Sequence, residues 1–340
     1  MGIVIAILIF SIIVIFHEFG HFILAKKNGI RVNEFAVGMG PKLFGFKRGE
    51  TDYVLRALPI GGACVMAGED EDVTDEGTFN SKSVWARMSV VLAGPFFNFF
   101  LAFIFAVIII NFAGITPAEI GAVSENSPAE AAGLEAGDVI KEIDGENIHM
   151  FDELRMHMML DPKAQYEVTY ERDGQTYDTI VNTVTGSDGY PMMGVTAYIR
   201  KASFTEMFQY GFYEVKFNIE LVFKSLAMLF QGKLTADDMA GPVGMAQIVN
   251  ENYETAMDYG VSSAILTMMN IVVIFSANLG VMNLLPIPAL DGGRFLFLIF
   301  EAIRGKPINR EKEGFVNFVG FALLMVLMVF ILFNDISRLF

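Results

Sequence analysis

The sequence predicts a polytopic α-helical membrane protein. It has four transmembrane helices, a membrane-associated β-hairpin or sheet, and one small extracytoplasmic domain. Three observations carry that prediction. The 340 residues are 53% hydrophobic and only 19% charged, with a mean hydropathy of +0.46, which is too apolar for a soluble chain of this length. Long apolar runs recur at about Ile3–Ala25, Met88–Ala113, Ala264–Leu290 and Phe315–Phe333, each near or above the ~20 residues that cross a bilayer. Between the second and third runs the chain turns polar and strongly acidic.

The first run could be mistaken for a signal peptide. It lacks a basic leader, and basic residues follow it instead, so it reads as a retained span. Lys26, Lys27 and Arg31 follow that span and Arg87 precedes the second. Arg304, Lys306, Arg310 and Lys312 separate the third from the fourth. The positive-inside rule makes these loops cytoplasmic and leaves both termini outside. The protein is therefore expected in a cell membrane, with the lipid bilayer as its solvent.

Segment 32–66 is too interrupted to span. It alternates over Glu34–Met39 and Tyr53–Leu58, with Gly40-Pro41 and Gly61-Gly62 as punctuation, a pattern for hairpin strands. Glu69–Glu76 reads as a solvated acidic loop. From Glu119 to Asp188 there are sixteen acidic and four basic residues, a balance of −12 within a chain whose net charge is −15. Such a domain argues against nucleic acid as a partner. The single cysteine, Cys64, excludes an intramolecular disulfide and a cysteine-based zinc site.

Over Phe204–Phe230 the residues Phe208, Phe212, Val215, Ile219, Val222, Leu226 and Leu229 form a stripe at steps of four and three. Glu206, Lys216, Glu220 and Lys224 stand off it. This predicts an amphipathic helix lying on the membrane or against the spans. Were it to cross, the third span would run outward and the two halves of the site described next would face opposite sides.

The chemistry is concentrated at His17-Glu18-Phe19-Gly20-His21, inside the first span. Between Ile3 and Ala25 the only other polar side chain is Ser11. Histidines four apart on a helix project from one face and can share a metal ion, with the glutamate between them placed to act on a water. Ionisable groups at that depth are costly, and the competing reading is helix–helix hydrogen bonding. His21 lies about 7 Å along the helix from Lys26 at 1.5 Å per residue, which puts the site near the cytoplasmic face. A catalytic zinc needs a third protein ligand. His149 and His157 fall in the acidic domain and read as ordinary surface or half-buried residues. The better candidate is Asp291, in Asn283-Leu-Leu-Pro-Ile-Pro-Ala-Leu-Asp291-Gly-Gly-Arg294. Two prolines and two glycines must break the helix there, and broken helices at membrane depth line sites or cavities. The bland alternative is a helix cap at the membrane surface.

With these two motifs the sequence resembles the site-2 protease family of intramembrane zinc metalloproteases, in its bacterial branch. The resemblance covers nearly the whole chain and includes Gly94-Pro95 with Asn98 in the second span and Gly241-Pro242-Val243-Gly244. It implies Zn2+ held by His17, His21 and Asp291, with Glu18 as catalytic base. It also implies that segment 32–66 forms a sheet dipping into the membrane beside the site. An open edge there could take up an extended substrate by strand addition, and a surface hairpin without such a role fits the pattern equally. Ser127-Pro128 through Gly133-Leu134, then Gly137-Asp138 and Asp144-Gly145, form a PDZ-like signature, which makes the external domain a PDZ domain.

The domains expected are 1–113 for two spans with the β region, 114–186 for the PDZ domain, 187–261 for a linker with the amphipathic helix, and 262–340 for the last two spans. The implied activity is hydrolysis of peptide bonds within the transmembrane helices of single-span proteins, such as anti-sigma factors or remnant signal peptides. Asn278 and Asn283 are candidates to bind the unwound substrate backbone, and interhelix hydrogen bonding is an equal alternative for both. A metal transporter and an inactive scaffold are the rival classes. Four spans with one compact constellation speak against the first, and an intact Glu18 against the second.

Overall fold

The computed structural model describes residues 2–69, 75–187, 189–233 and 240–337. The acidic loop 69–76 thus falls largely outside the described residues, as do Asp188 and the end of the polar segment after the amphipathic helix. The chain divides into two compact units, residues 1–106 with 218–340, and residues 107–217.

Among the described residues four helices are long and apolar enough to cross a membrane: α1 (Gly2–Lys27), α2 (Val84–Ala113), α7 (Val261–Leu284) and α9 (Arg310–Ser337). Ala6, Ile9 and Ile13 of α1 are buried with Leu101 of α2 and with Ile271 and Val272 of α7. At the other end of α1, Gly20 lies against the Ala93 backbone of α2, where any Cβ would collide. α2 therefore runs antiparallel to α1. Ile5 and Ile9 share an apolar cleft with Ala264 and Met268, so α7 starts at the end where α1 starts and runs parallel to it. The outer face of α9, from Phe315 to Phe333, is almost wholly exposed and apolar, as a face toward lipid requires.

The third apolar run is shorter as a helix than the 264–290 expected. α7 stops at Leu284, because Leu285 precedes Pro286 and takes the extended conformation that a following proline imposes (φ −61, ψ 142). The chain turns through Ala289 at φ 74 and restarts as α8 (Asp291–Arg304), which ends at Gly305 in the left-handed conformation. α8 was not expected. Nor was α6 (Pro242–Asp258), whose first turn at Gly241-Pro242-Val243-Gly244 is capped by a carboxylate from far along the chain. Asp335, 3% exposed, accepts from the amides of Gly241 (3.0 Å), Val243 (3.1 Å) and Gly244 (2.9 Å).

Strands β1 (Val32–Arg48) and β2 (Thr51–Met66) extend well past the alternating segments that announced them. Each bends near a proline, Pro41 or Pro59, so the pair reads as four segments side by side. Residues 34–37 lie between 52–55 and 62–65, while 42–48 flank 51–56 on the far side. The segments 62–66 and 42–48 are the open edges.

The second unit is a small α/β body with its own core, in which Ile140, Ile143, Leu154, Tyr166 and Val181 are all buried. Its main sheet has the order β5 (Glu146–Asn147), β4 (Val139–Ile143), β6 (Gln165–Arg172), β7 (Gln175–Asn182). Pro128 opens the one-turn helix α3 (Pro128–Ala131), with Ser127 as its N-cap accepting from the Glu130 amide, and Gly133 follows at φ 79. The remaining elements are α4 (Phe151–Leu160), a β8–β9 hairpin (Val184–Thr185, Pro191–Met192) and a ribbon of β3 (Ile120–Val123) with β10 (Val195–Ala197). The boundary expected at 186 falls short, because β10 pairs with β3 and Arg200 bridges Ile115. Neither pairing has a local sequence signal. α5 (Phe204–Phe230) is a single helix over the residues of the predicted stripe.

Candidate metal centre

α1 places His17 and His21 one turn apart, and the break after α7 places Asp291 at the start of α8. The separations are 3.2 Å from His17 Nε2 to Asp291 Oδ2, 3.4 Å from His21 Nε2 to the same oxygen, and 3.2 Å between the two Nε2 atoms. A tetrahedral ion with bonds of about 2.0–2.1 Å to its ligands sets them roughly 3.3 Å apart. The three atoms therefore form one face of a tetrahedron of zinc's size. Both histidines are 8% exposed, and Asp291 Oδ2 is buried without a hydrogen bond. A buried carboxylate oxygen facing two imidazole nitrogens is costly unless a cation joins them, so the donor set fits zinc.

Each imidazole is held from behind by α2. His21 Nδ1 is 2.8 Å from the Val90 carbonyl, to which it donates, leaving the Nε2 lone pair for a metal. His17 Nδ1 is 3.2 Å from the side-chain amide of Asn98, which is fully buried. With the near-isosteric amide turned so that its oxygen faces the ring, His17 Nδ1 donates to Asn98 and its Nε2 is likewise free. Ser276 of α7 fixes Asn98 from the other side by donating to its backbone carbonyl at 2.8 Å. Gly94 of α2 faces both rings, and a Cβ there would overlap His21 Nε2 and His17 Cε1. Gly292 and Gly293 are similarly obligatory, since side chains there would strike the carbonyls of residues 284, 285 and 287.

Glu18 is half-buried, and its Cγ lies 3.0 Å from where a Cβ on Gly62 would stand, in the open edge segment 62–66. A polar cavity of about 310 Å³ reaches Asp291, lined by Glu69, Arg87, Arg294, Glu301 and Asn317 among others. Its walls are braced by charge pairs. Arg87 forms a two-pronged pair with Glu301, and Arg294 pairs with Glu69 and stacks 5.1 Å over Phe79. Water can therefore approach the carboxylate from the α8 side.

The family described as Peptidase family M50 matches residues 5–327. The chain belongs to that family. Among its relatives, a Clostridium acetobutylicum protein with a zinc metalloprotease name is 39% identical over 337 residues, covering 98% of this chain and 97% of the relative. The zinc metalloprotease RasP of Shouchella clausii is 35% identical, with 98% of each chain covered. The regulator of sigma-W protease RasP of Bacillus subtilis is 32% identical over 98% of each. This M50 protein is accordingly a zinc metalloprotease, and its cofactor is Zn2+. Among solved structures, the PDZ domain of an SdrC-like protein from Listeria monocytogenes is 22% identical over 24% of this chain and 87% of its own, with a TM-score of 0.22. A likeness at that score carries no argument.

Asn278 and Asn283 are not among the three candidate ligands. Asn278 is exposed and Asn283 half-buried on the last turns of α7, and neither bonds to another helix among the described residues. The orienting roles of Asn98, Val90 and Ser276 escaped sequence reading. The signal available was Asn98 itself, one of two amides, with Asn111, in the apolar run 88–113.

Proposed function

We propose that the protein is an intramembrane endopeptidase, hydrolysing peptide bonds within the transmembrane helices of single-span membrane proteins. One observation carries the reading. The tetrahedral face of His17, His21 and Asp291 is built on the apolar helix α1 and on the break after the apolar helix α7. When bound there, zinc supplies Lewis acidity that polarises a substrate carbonyl and makes a water acidic enough to lose a proton near neutrality. Glu18 takes that proton as general base and returns it to the departing amine. His17, His21 and Asp291 hold the ion, while Asn98 and Val90 keep the imidazoles in the metal-binding tautomer.

A helical substrate hides its carbonyls in its own hydrogen bonds and must unwind to be cut. The open edge 62–66 runs past Glu18 and offers free backbone groups to an extended segment. Asn278 is exposed enough to bind unpaired substrate backbone, with Asn283 a turn beyond. The Lys/Arg distribution supports a site near the cytoplasmic face of a cell membrane, with both termini and the acidic domain outside. The PDZ-like signature at 127–145 gives that domain a peptide groove between α4 and β9, of about 250 Å³. The name of the Bacillus subtilis relative supports substrates of the anti-sigma-factor kind.

Glu18→Gln tests the reading. It abolishes cleavage of a single-span reporter in detergent while zinc content stays at the wild-type level, whereas Asp291→Ala loses activity together with the zinc of this centre. Cleavage retained by Glu18→Gln removes the assigned base.

A further inference from the structure

The acidic unit carries a second convergence of metal-ligating side chains. Asp144 sits in the turn between β4 and β5, and Asp161 is the residue that ends α4. Between them, His157 projects from the last turn of α4. One ligand atom from each of the three lies within 4.8 Å of the other two.

His157 is the informative member. Its side chain is 8% exposed, with Nδ1 3.2 Å from Glu146 Oε2. With Nδ1–H donating to that carboxylate, Nε2 presents a bare lone pair. Nε2 is buried without a hydrogen bond and faces Asp144 Oδ2 at 3.7 Å. A lone pair opposed to a carboxylate oxygen is repulsive unless a cation lies between them. The carboxylate behind the ring, the free nitrogen in front and acidic oxygens beyond are the parts of a carboxylate–histidine–metal arrangement.

Lys163 shows that the spot attracts positive charge. Its ammonium lies 2.6 Å from Asp144 and 2.8 Å from Asp161, yet it leaves His157 Nε2 unsatisfied. Its side chain is 42% exposed, so it can swing into solvent. The carbonyl end of α4 adds the negative end of a helix dipole.

We propose that Asp144, His157 and Asp161 form a second divalent-metal site that binds zinc, with Glu146 orienting His157. One imidazole with carboxylates favours zinc over the oxygen-seeking magnesium or calcium. Ligand separations near 3.3 Å require a set that spans up to 4.8 Å to tighten by as much as about 1.5 Å, a movement that the exposed Asp161 side chain supplies once Lys163 swings away. The bound ion ties the end of α4 to the β4–β5 turn. It thereby steadies the helix whose Leu154 and Met158 line the groove beside β9.

The test uses the full chain in detergent with His17→Ala and His21→Ala, so that the intramembrane centre contributes nothing. After equilibration with micromolar zinc and desalting, elemental analysis finds about one zinc per chain. Adding Asp161→Asn, at an exposed position that leaves the fold alone, weakens zinc binding roughly tenfold or more in calorimetry. Lys163→Ala, which removes the competing cation, strengthens it. In the otherwise unaltered chain, Asp161→Asn lowers the zinc content by about one equivalent. Zinc binding that is absent from the His17→Ala/His21→Ala chain, or indifferent to Asp161→Asn in both backgrounds, overturns the proposal.

Discussion

At the scale of the residue, the candidate metal centre is specified by orientation as much as by ligand type. Two imidazoles on one helix face can point their Nε2 atoms in many directions. The Val90 carbonyl and the Asn98 side chain restrict them to one. Asn98→Ala is therefore expected to lower zinc affinity about 10–100-fold, read by competition with a chromogenic chelator, while Asn98→Asp keeps an acceptor and most of the affinity. Wild-type affinity in Asn98→Ala would mean that His17 orients itself. The ligand pair was legible because a spacing of four is a local property of a helix. Asp291 was legible because prolines and glycines mark the break beside it. Asn98 stands 81 positions from His17, and only the packing of α2 on α1 gives its amide a purpose. Gly94 is the same case, since its lack of a side chain matters only because two rings fill that space.

At the scale of the element, two helices depend on carboxylates whose roles are set by tertiary contact. α6 begins at a glycine with no side-chain cap of its own, and Asp335 of α9 supplies the acceptor for three of its first amides. Removing it as Asp335→Ala should cost about 2 kcal/mol, seen as a lowered Tm in detergent, with Asp335→Asn losing less. Equal Tm values for the alanine variant and wild type would show that α6 is held by its apolar contacts to α1 alone.

The second case is Glu214 on α5. Burial, and after it the nearby charges of Asp152 and Glu153, push its carboxyl up to about 7, while the His149 ring packs 4.4 Å from Tyr213 one residue away. A carboxyl raised in the folded state contributes stability that is fully present below its ordinary value of 4.5 and is lost as pH rises through about 7. Glu214→Gln should therefore match wild type in Tm at pH 4.5 and exceed it at pH 8. An unchanging difference across that range would exclude Glu214 as the titrating group. Sequence periodicity announced α5 clearly, but its neighbours on α4 could not be read from a stripe of apolar residues.

At the scale of the whole molecule, the directions of the helices decide whether a site can assemble. α1 and α7 run parallel with α2 opposed, so the chain leaves α2 and enters α7 at the same end of the first unit. That geometry suits an α5 that does not cross. Cysteine labelling with an impermeant reagent, after Cys64→Ser, tests the sidedness. Gln175→Cys and Glu251→Cys should label from outside, and Lys306→Cys only after the membrane is opened. Position 251, on α6, reports the side that the chain has reached after α5. Labelling at 175 but not at 251 would mean that α5 crosses, and His21 and Asp291 would then face opposite compartments.

The sequence by itself determined the membrane class, the apolar runs and the amphipathic stripe of α5, because each depends on spacing or composition within a few turns of chain, and it offered His17, His21 and Asp291 as candidate ligands. Only the tertiary structure decided that β10 completes a ribbon with β3 and that α6 and α8 exist. It also decided that His157, unremarkable in sequence, is buried between the carboxylates of Asp144 and Glu146. These features arise from contacts between residues tens to hundreds of positions apart, where burial and the need to satisfy every buried polar group override local pattern.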